Sequence, residues 1–174
     1  MTAVLIATDG SSTAERAVQI GADIAKSRHM DVILLAVIDK KPIPNQIRAM
    51  AEAEHMVARP QAATDTHLAN IPSWMMADIH AAAQADEDFE IRQAIANLSV
   101  KRARTILSEQ KITPTSELIH EGEPDEVILD VANSEKVEMI VMGTRGLGTL
   151  KSLVIGSTSR HVAEHAPCSC IIVT

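Results

Sequence analysis

A chain of 174 residues is about the size of one domain and is long enough to close a hydrophobic core without disulfides or metals. Its 16 basic and 23 acidic residues leave a formal charge of −7, which repels a phosphate backbone and sets nucleic acid aside as a partner. No apolar run approaches the roughly 18 residues of a membrane span, and Met1 to Asp9 lacks the basic stretch and longer apolar run of a signal peptide, so a soluble, cytoplasmic protein with no membrane partner is expected.

Apolar residues make up 46% of the chain, yet Trp74 and Phe89 are the only aromatics, so the core is aliphatic, as suits buried parallel strands covered by helices. Ala3 to Ala7 is a short continuous apolar run ending in Thr8-Asp9-Gly10, which predicts a buried strand that stops at a turn. Ser11 or Ser12 is placed to cap the next helix, which runs to about Arg28 with Ala14, Ala17, Val18, Gly21, Ala22 and Ala25 as a small-residue face. Asp31 to Ile38 is the second strand, apolar on both sides.

Residues 39–90 then exceed the usual connection of about 4 to 6 residues. Pro42, Pro44, Pro60 and Pro72 punctuate the stretch, while Ala49–Ala58 and Met75–Ala85 look locally helical. Two readings stand: a surface insertion with short helices, or a lid or partner-binding element. A helix follows over about Ile91–Glu109, then a weaker third strand at Ser116–His120. Pro124 suits the first position of a helix at about Asp125–Ser134. A fourth strand over Val137–Met142, a helix over Ser157–His165 and a fifth strand over Cys168–Thr174 complete the chain.

Cys168 and Cys170 share one face of that last strand, which opposes a mutual disulfide and fits a reducing compartment. Strands alternating with helices predict a doubly wound α/β fold: a five-stranded, mainly parallel sheet with helices on both faces, forming one domain over 1–174 with an insertion at about 39–90.

Four of the seven glycines, Gly143, Gly146, Gly148 and Gly156, fall between the fourth strand and the last helix. Gly143 and Gly148 have the spacing of a Walker A loop, but Thr149 stands where its lysine belongs. A dinucleotide fingerprint after Gly146-Leu-Gly148 needs a glycine where Lys151 stands. What remains is Gly143-x2-Gly146-x9-Gly156-Ser157.

Gly143 and Gly146 permit positive φ and close approach of amides to phosphate oxygens. Gly156, Ser157 and Thr158 open a helix whose amides and dipole attract anions, while Arg145 and Lys151 are placed to offset phosphate charge. The plainer reading is a glycine-rich turn joining strand to helix. Asp9, closing the first strand, suits a ribose hydroxyl or a Mg²⁺ ion; its plainer reading is an aspartate in the turn before a helix.

With this glycine spacing the chain resembles the universal stress protein family, ATP-binding type. Val4-Leu-Ile-Ala-Thr-Asp-Gly-Ser11 is similar to that family's opening strand and turn, Leu34-Leu-Ala-Val-Ile38 to its second strand, Ile140-Val-Met-Gly-Thr-Arg-Gly146 to its fourth, and Pro167-Cys-Ser-Cys-Ile-Ile-Val173 to its last. Residues 39–90 have no clear counterpart there. The resemblance implies a Rossmann-like fold of the adenine nucleotide alpha hydrolase kind. It also implies a nucleotide pocket formed by Ala7, Thr8, Asp9, Ser11, Val37, Met142, Gly143, Arg145, Gly146, Gly148, Gly156, Ser157 and Thr158, with the backbone of Val37 meeting the adenine.

ATP, with Mg²⁺ as a common companion, is the ligand so implied, and nucleotide-dependent regulation in stress response the function. Slow Mg-dependent ATP hydrolysis is the enzyme alternative, for which no obvious catalytic base is found. A nucleotide-free dimeric scaffold is the third. A homodimer through residues 168–174 is expected because an exposed apolar edge strand invites pairing, and the resemblance implies the same contact.

His161 and His165, four apart on one helix with Cys168 and Cys170 behind them, have a spacing that metal ligands use, but with ligands on both helix and strand convergence is not assured, and the plainer reading is a histidine favourably placed near a helix carboxyl end. Met50, Met56, Met75 and Met76 read as gap-filling residues or an adaptable surface. Gly156-Ser-Thr-Ser-Arg160 does not match a nucleophile elbow, and no basic amphipathic helix marks a membrane surface.

Overall fold

The computed structural model describes residues 2–40, 43, 73–144 and 155–174, with side chains described from residue 87 onward within 73–109. The chain divides into two compact units, one of Met1–Lys40 with Ile95–Thr174 and one of Lys41–Ala94. The first unit carries strands β1 (Ala3–Ala7), β2 (Asp31–Ile38), β3 (Ser116–Glu121), β4 (Met139–Gly143) and β5 (Ser169–Val173) in one sheet of order β3-β2-β1-β4-β5. All four strand pairings are parallel.

Alternation along β1 sets the two faces. Val4 and Ile6 point into one cluster with Val32, Leu34, Met139 and Val141. Helix α1 (Ser12–Arg28) covers it with Ala17, Val18, Ala22 and Ala25, and helix α2 (Ser73–Glu109) adds Ala103, Ile106 and Leu107. Ala3, Leu5 and Ala7 point the other way, into a cluster closed by Ile128, Val131 and Ala132 of α3 (Pro124–Ser134) and Val162 of α4 (Ser157–His165). The fold is therefore the expected doubly wound sandwich, with helices on both faces. The buried residues of α1 are the small-residue face read from the sequence.

Several boundaries differ from expectation. Val137 and Glu138 lie in the turn before β4, where their amides donate to Ala132 and Ala3 carbonyls. Cys168 and Thr174 fall just outside β5. The larger difference is α2, one helix of 37 residues where two shorter pieces are expected. Between Ser73 and Glu109 there is no glycine or proline to stop it, and Asp88 and Arg92, one turn apart, pair along it at 3.6 Å. Ala49–Ala58 lies outside the described residues.

Within the first unit, the carboxyl end of α2 is tied to its neighbours at two exposed points. Arg102 Nε donates to Glu15 of α1 at 2.9 Å, and Arg104 makes a two-armed pair with Glu117 of β3. In each case the carboxylate hydrogen bond, then its charge, raises the guanidinium pKa.

Candidate functional site: the carboxyl ends of β1 and β4

β1 and β4 lie side by side, with Ala7 opposite Met142. Beyond them the chain leaves in opposite directions, into α1 on one face and towards α4 on the other. This is the point where strand order reverses and where open α/β sheets leave a crevice. Ala7 and Met142 are buried in the apolar cluster under α3 and α4, so their side chains serve the core.

The turn after β1 is held by its own polar groups. The Thr8 amide donates to Leu35 O at 2.9 Å, continuing the ladder to β2, and Thr8 Oγ1 accepts from the Gly10 amide at 3.3 Å. Half-buried Asp9 accepts the Ser11 amide on Oδ1 at 3.0 Å. Ser11 is the N-cap of α1, its hydroxyl accepting the Ala14 amide at 3.3 Å. Gly10 has φ +80°, and a β-carbon there would stand 2.7 Å from Ser99 Oγ on α2, so glycine is required twice over.

At the end of β4 the reason for glycine differs from the expected one. Positive φ among the described glycines occurs only at Gly10 and Gly122. Gly143 is instead a seat for α1: a β-carbon would lie 2.9 Å from Thr13 Oγ1 and 3.0 Å from the Ala14 nitrogen. Gly156, at φ −61°, is likewise a close-approach glycine, whose β-carbon would stand 2.8 Å from the Thr144 carbonyl oxygen.

That carbonyl organises the start of α4. It accepts the Gly156 amide at 2.9 Å and the hydroxyl of buried Ser159 at 2.9 Å, while the Thr144 amide donates to Val173 O on β5 at 2.7 Å. The first helical bond of α4 runs from the Arg160 amide to Gly156 O at 3.0 Å, so the amides of Ser157, Thr158 and Ser159 have no intrahelical acceptor. No side chain caps this turn at Gly156. Ser157 is exposed and Thr158 half-buried.

The structure thus gathers Ala7, Thr8, Asp9, Ser11, Met142, Gly143, Gly156, Ser157 and Thr158 at one end of the sheet. Val37, half-buried and opposite His120, lies at the same edge on β2, two residues past Leu35. Arg145, Gly146, Gly148 and Lys151 fall outside the described residues. Thr13, Thr144 and Ser159 are missed by the sequence reading. Ser159 had one local signal, a hydroxyl three residues after the glycine that precedes the helix.

Among the described residues no group of three or more His, Cys, Asp or Glu is arranged to hold a metal ion. His161 and His165 stack on each other at 4.2 Å, and His161 faces Asp125 at 4.0 Å. The thiols of Cys168 and Cys170 pack instead against the cluster under α3 and α4, where burial pushes both pKa values up. No helix among the described residues is long and apolar enough to cross a membrane.

A model of the universal stress protein family matches residues 1–174. The "Universal stress protein in QAH/OAS sulfhydrylase 3'region" of Thermus aquaticus is 50% identical over 56 residues, 32% of this chain and 41% of that protein, so the match spans less than half of that relative's length. The stress response protein NhaX of Bacillus subtilis is 25% identical over 98% of this chain and 96% of its own.

Two solved structures share the fold. A universal stress protein in complex with cAMP superposes with a TM-score of 0.61 at 20% identity, covering 99% of this chain and 97% of its own. One from Archaeoglobus fulgidus in complex with dAMP gives 0.54 at 19% identity, over 100% and 98%. The chain belongs to the universal stress protein family.

Proposed function

We propose that this protein binds an adenine nucleotide, ATP above all, at the carboxyl ends of β1 and β4, and that occupancy regulates a stress response in the cytoplasm. The observation that carries the reading is the first turn of α4. Its first amides lack intrahelical acceptors, no side chain among the described residues caps them, and the Thr144 carbonyl holds the turn at the switch point. Such a turn attracts anions by its unpaired donors and its dipole.

The residues present fit the ligand. Ser157 and Thr158 supply hydroxyls and amides for phosphate, Asp9 a carboxylate for ribose, and Val37 a half-buried apolar edge where adenine would lie. Arg145, Gly146 and Gly148 complete the proposed phosphate-binding stretch. Of the residues assigned to the pocket only Asp9 offers a carboxylate for Mg²⁺, so phosphate oxygens and water would supply most of the ion's remaining ligands. That relatives in this fold were solved with cAMP and dAMP supports an adenine ligand.

Equilibrium titration of the folded protein with ATP tests the reading, with Gly156→Val as control. Binding by the wild type and none by the variant is expected; no binding by the wild type removes the proposal.

Residues 39–90 are in this reading an insertion into a single domain. The edge strand β5 serves as the contact of a homodimer, its Cys170, Ile171 and Ile172 half-buried in one copy. Deleting residues 170–174 then yields monomers or insoluble protein, and an unchanged dimer in sedimentation would rule the contact out.

A further inference from the structure

We infer that Ser159 is a positioning residue for the phosphates: its buried hydroxyl aims the first turn of α4 by tying it to the end of β4. The inference rests on the nucleotide-binding reading above. Ser159 is 2% exposed, although serine at the third position of a helix commonly faces water or caps its own turn. Its hydroxyl reaches across fifteen residues of sequence to the Thr144 carbonyl at 2.9 Å; the Gly156 carbonyl, at 3.1 Å, is the second acceptor within range of the same proton.

Three features make this bond a matter of aim rather than bulk. Thr144 O also accepts the Gly156 amide at 2.9 Å, so losing the Ser159 bond leaves that carbonyl with a partner. The Thr144 amide is tied to Val173 O at 2.7 Å, which makes the carbonyl a fixed post on the sheet. Gly156 brings the helix so close to that post that a β-carbon would stand 2.8 Å from the oxygen.

One bond at Gly156 fixes a point of the helix and leaves rotation about that point. The second, from Ser159, removes the rotation. The direction in which the amides of Ser157 and Thr158 face is set by the pair. A group held in place this way acts on whatever the amides meet, and on nothing that binds at Asp9 or Val37.

The experiment compares ATP with adenosine, which lacks phosphate, on wild type, Ser159→Ala and Ser159→Cys, each checked for native circular dichroism. Cysteine keeps the volume at 159 and loses most of the donor strength, so it carries the test if alanine leaves a cavity that unfolds the chain. Loss of one hydrogen bond predicts ATP affinity weakened about 10-fold in both variants, with adenosine affinity changed less than about 2-fold. Equal losses for the two ligands, or none for ATP, overturn the assignment while leaving nucleotide binding intact. If the wild type itself binds neither ligand, the nucleotide reading fails and takes this inference with it.

Discussion

Two helices begin at the same place in this molecule and are treated in opposite ways. The first turn of α1 is closed on itself: Ser11 Oγ takes the Ala14 amide, Asp9 Oδ1 takes the Ser11 amide, and Gly143 makes room for Thr13 and Ala14 against β4. The first turn of α4 is fixed from behind, through Thr144, and no side chain among the described residues caps it in front. Both have the same dipole and the same orphan amides by geometry. The difference teaches what the proposed function requires of each start: α1, which supplies its own cap, is scaffold in that reading, and α4 is the element proposed to face the anion.

Substitutions at the two starts should therefore separate. Gly156→Val has the largest effect, since its side chain meets a backbone oxygen that cannot move aside. ATP binding falls below detection in calorimetry, and a variant that binds as the wild type does would end the role assigned to α4. Gly143→Ala comes next, lifting α1 from β4 at an overpacking cost of about 1–3 kcal/mol in urea unfolding. Stability equal to wild type would mean that α1 is not seated there.

Ser11→Ala removes a cap and lowers stability by about 1 kcal/mol, with ATP and adenosine affected alike. A selective loss of ATP would instead put phosphate at α1.

The smallest effect concerns neither start. Cys168 and Cys170 have raised pKa values, so less thiolate, the reactive form, is present at neutral pH than in a free cysteine. Alkylation is slow in the folded protein, accelerates as pH climbs above the ordinary thiol range, and is faster in urea at the same pH. Equal rates with and without urea would contradict the packing of β5.

Much of this was legible before the coordinates. Continuous aliphatic runs such as Ala3–Ala7 and Asp31–Ile38 declare strands buried on both faces, and the alanine-rich stripe of α1 declares a helix lying close on a sheet. The length of α2 was less legible, since Met75–Ala85 and Ile91–Glu109 read as separate helical pieces, although no glycine or proline lies between them.

Gly143 and Gly156 lie at the carboxyl end of the sheet, as read from the sequence, but for a partly different reason. Spacing cannot tell a glycine that frees the backbone from one that admits a neighbouring helix, and Gly143 is the second kind. The Ser159–Thr144 bond was out of reach, because no local pattern encodes a contact between a helix turn and a strand end fifteen residues back.

The contrast between α1 and α4 is tested most directly by amide chemical shifts as ATP is titrated into the labelled protein. The largest changes should fall on Ser157 and Thr158, with the Ala14 and Glu15 amides, already paired with Ser11, moving little. Shifts concentrated at the start of α1, with α4 unmoved at saturating nucleotide, would contradict it.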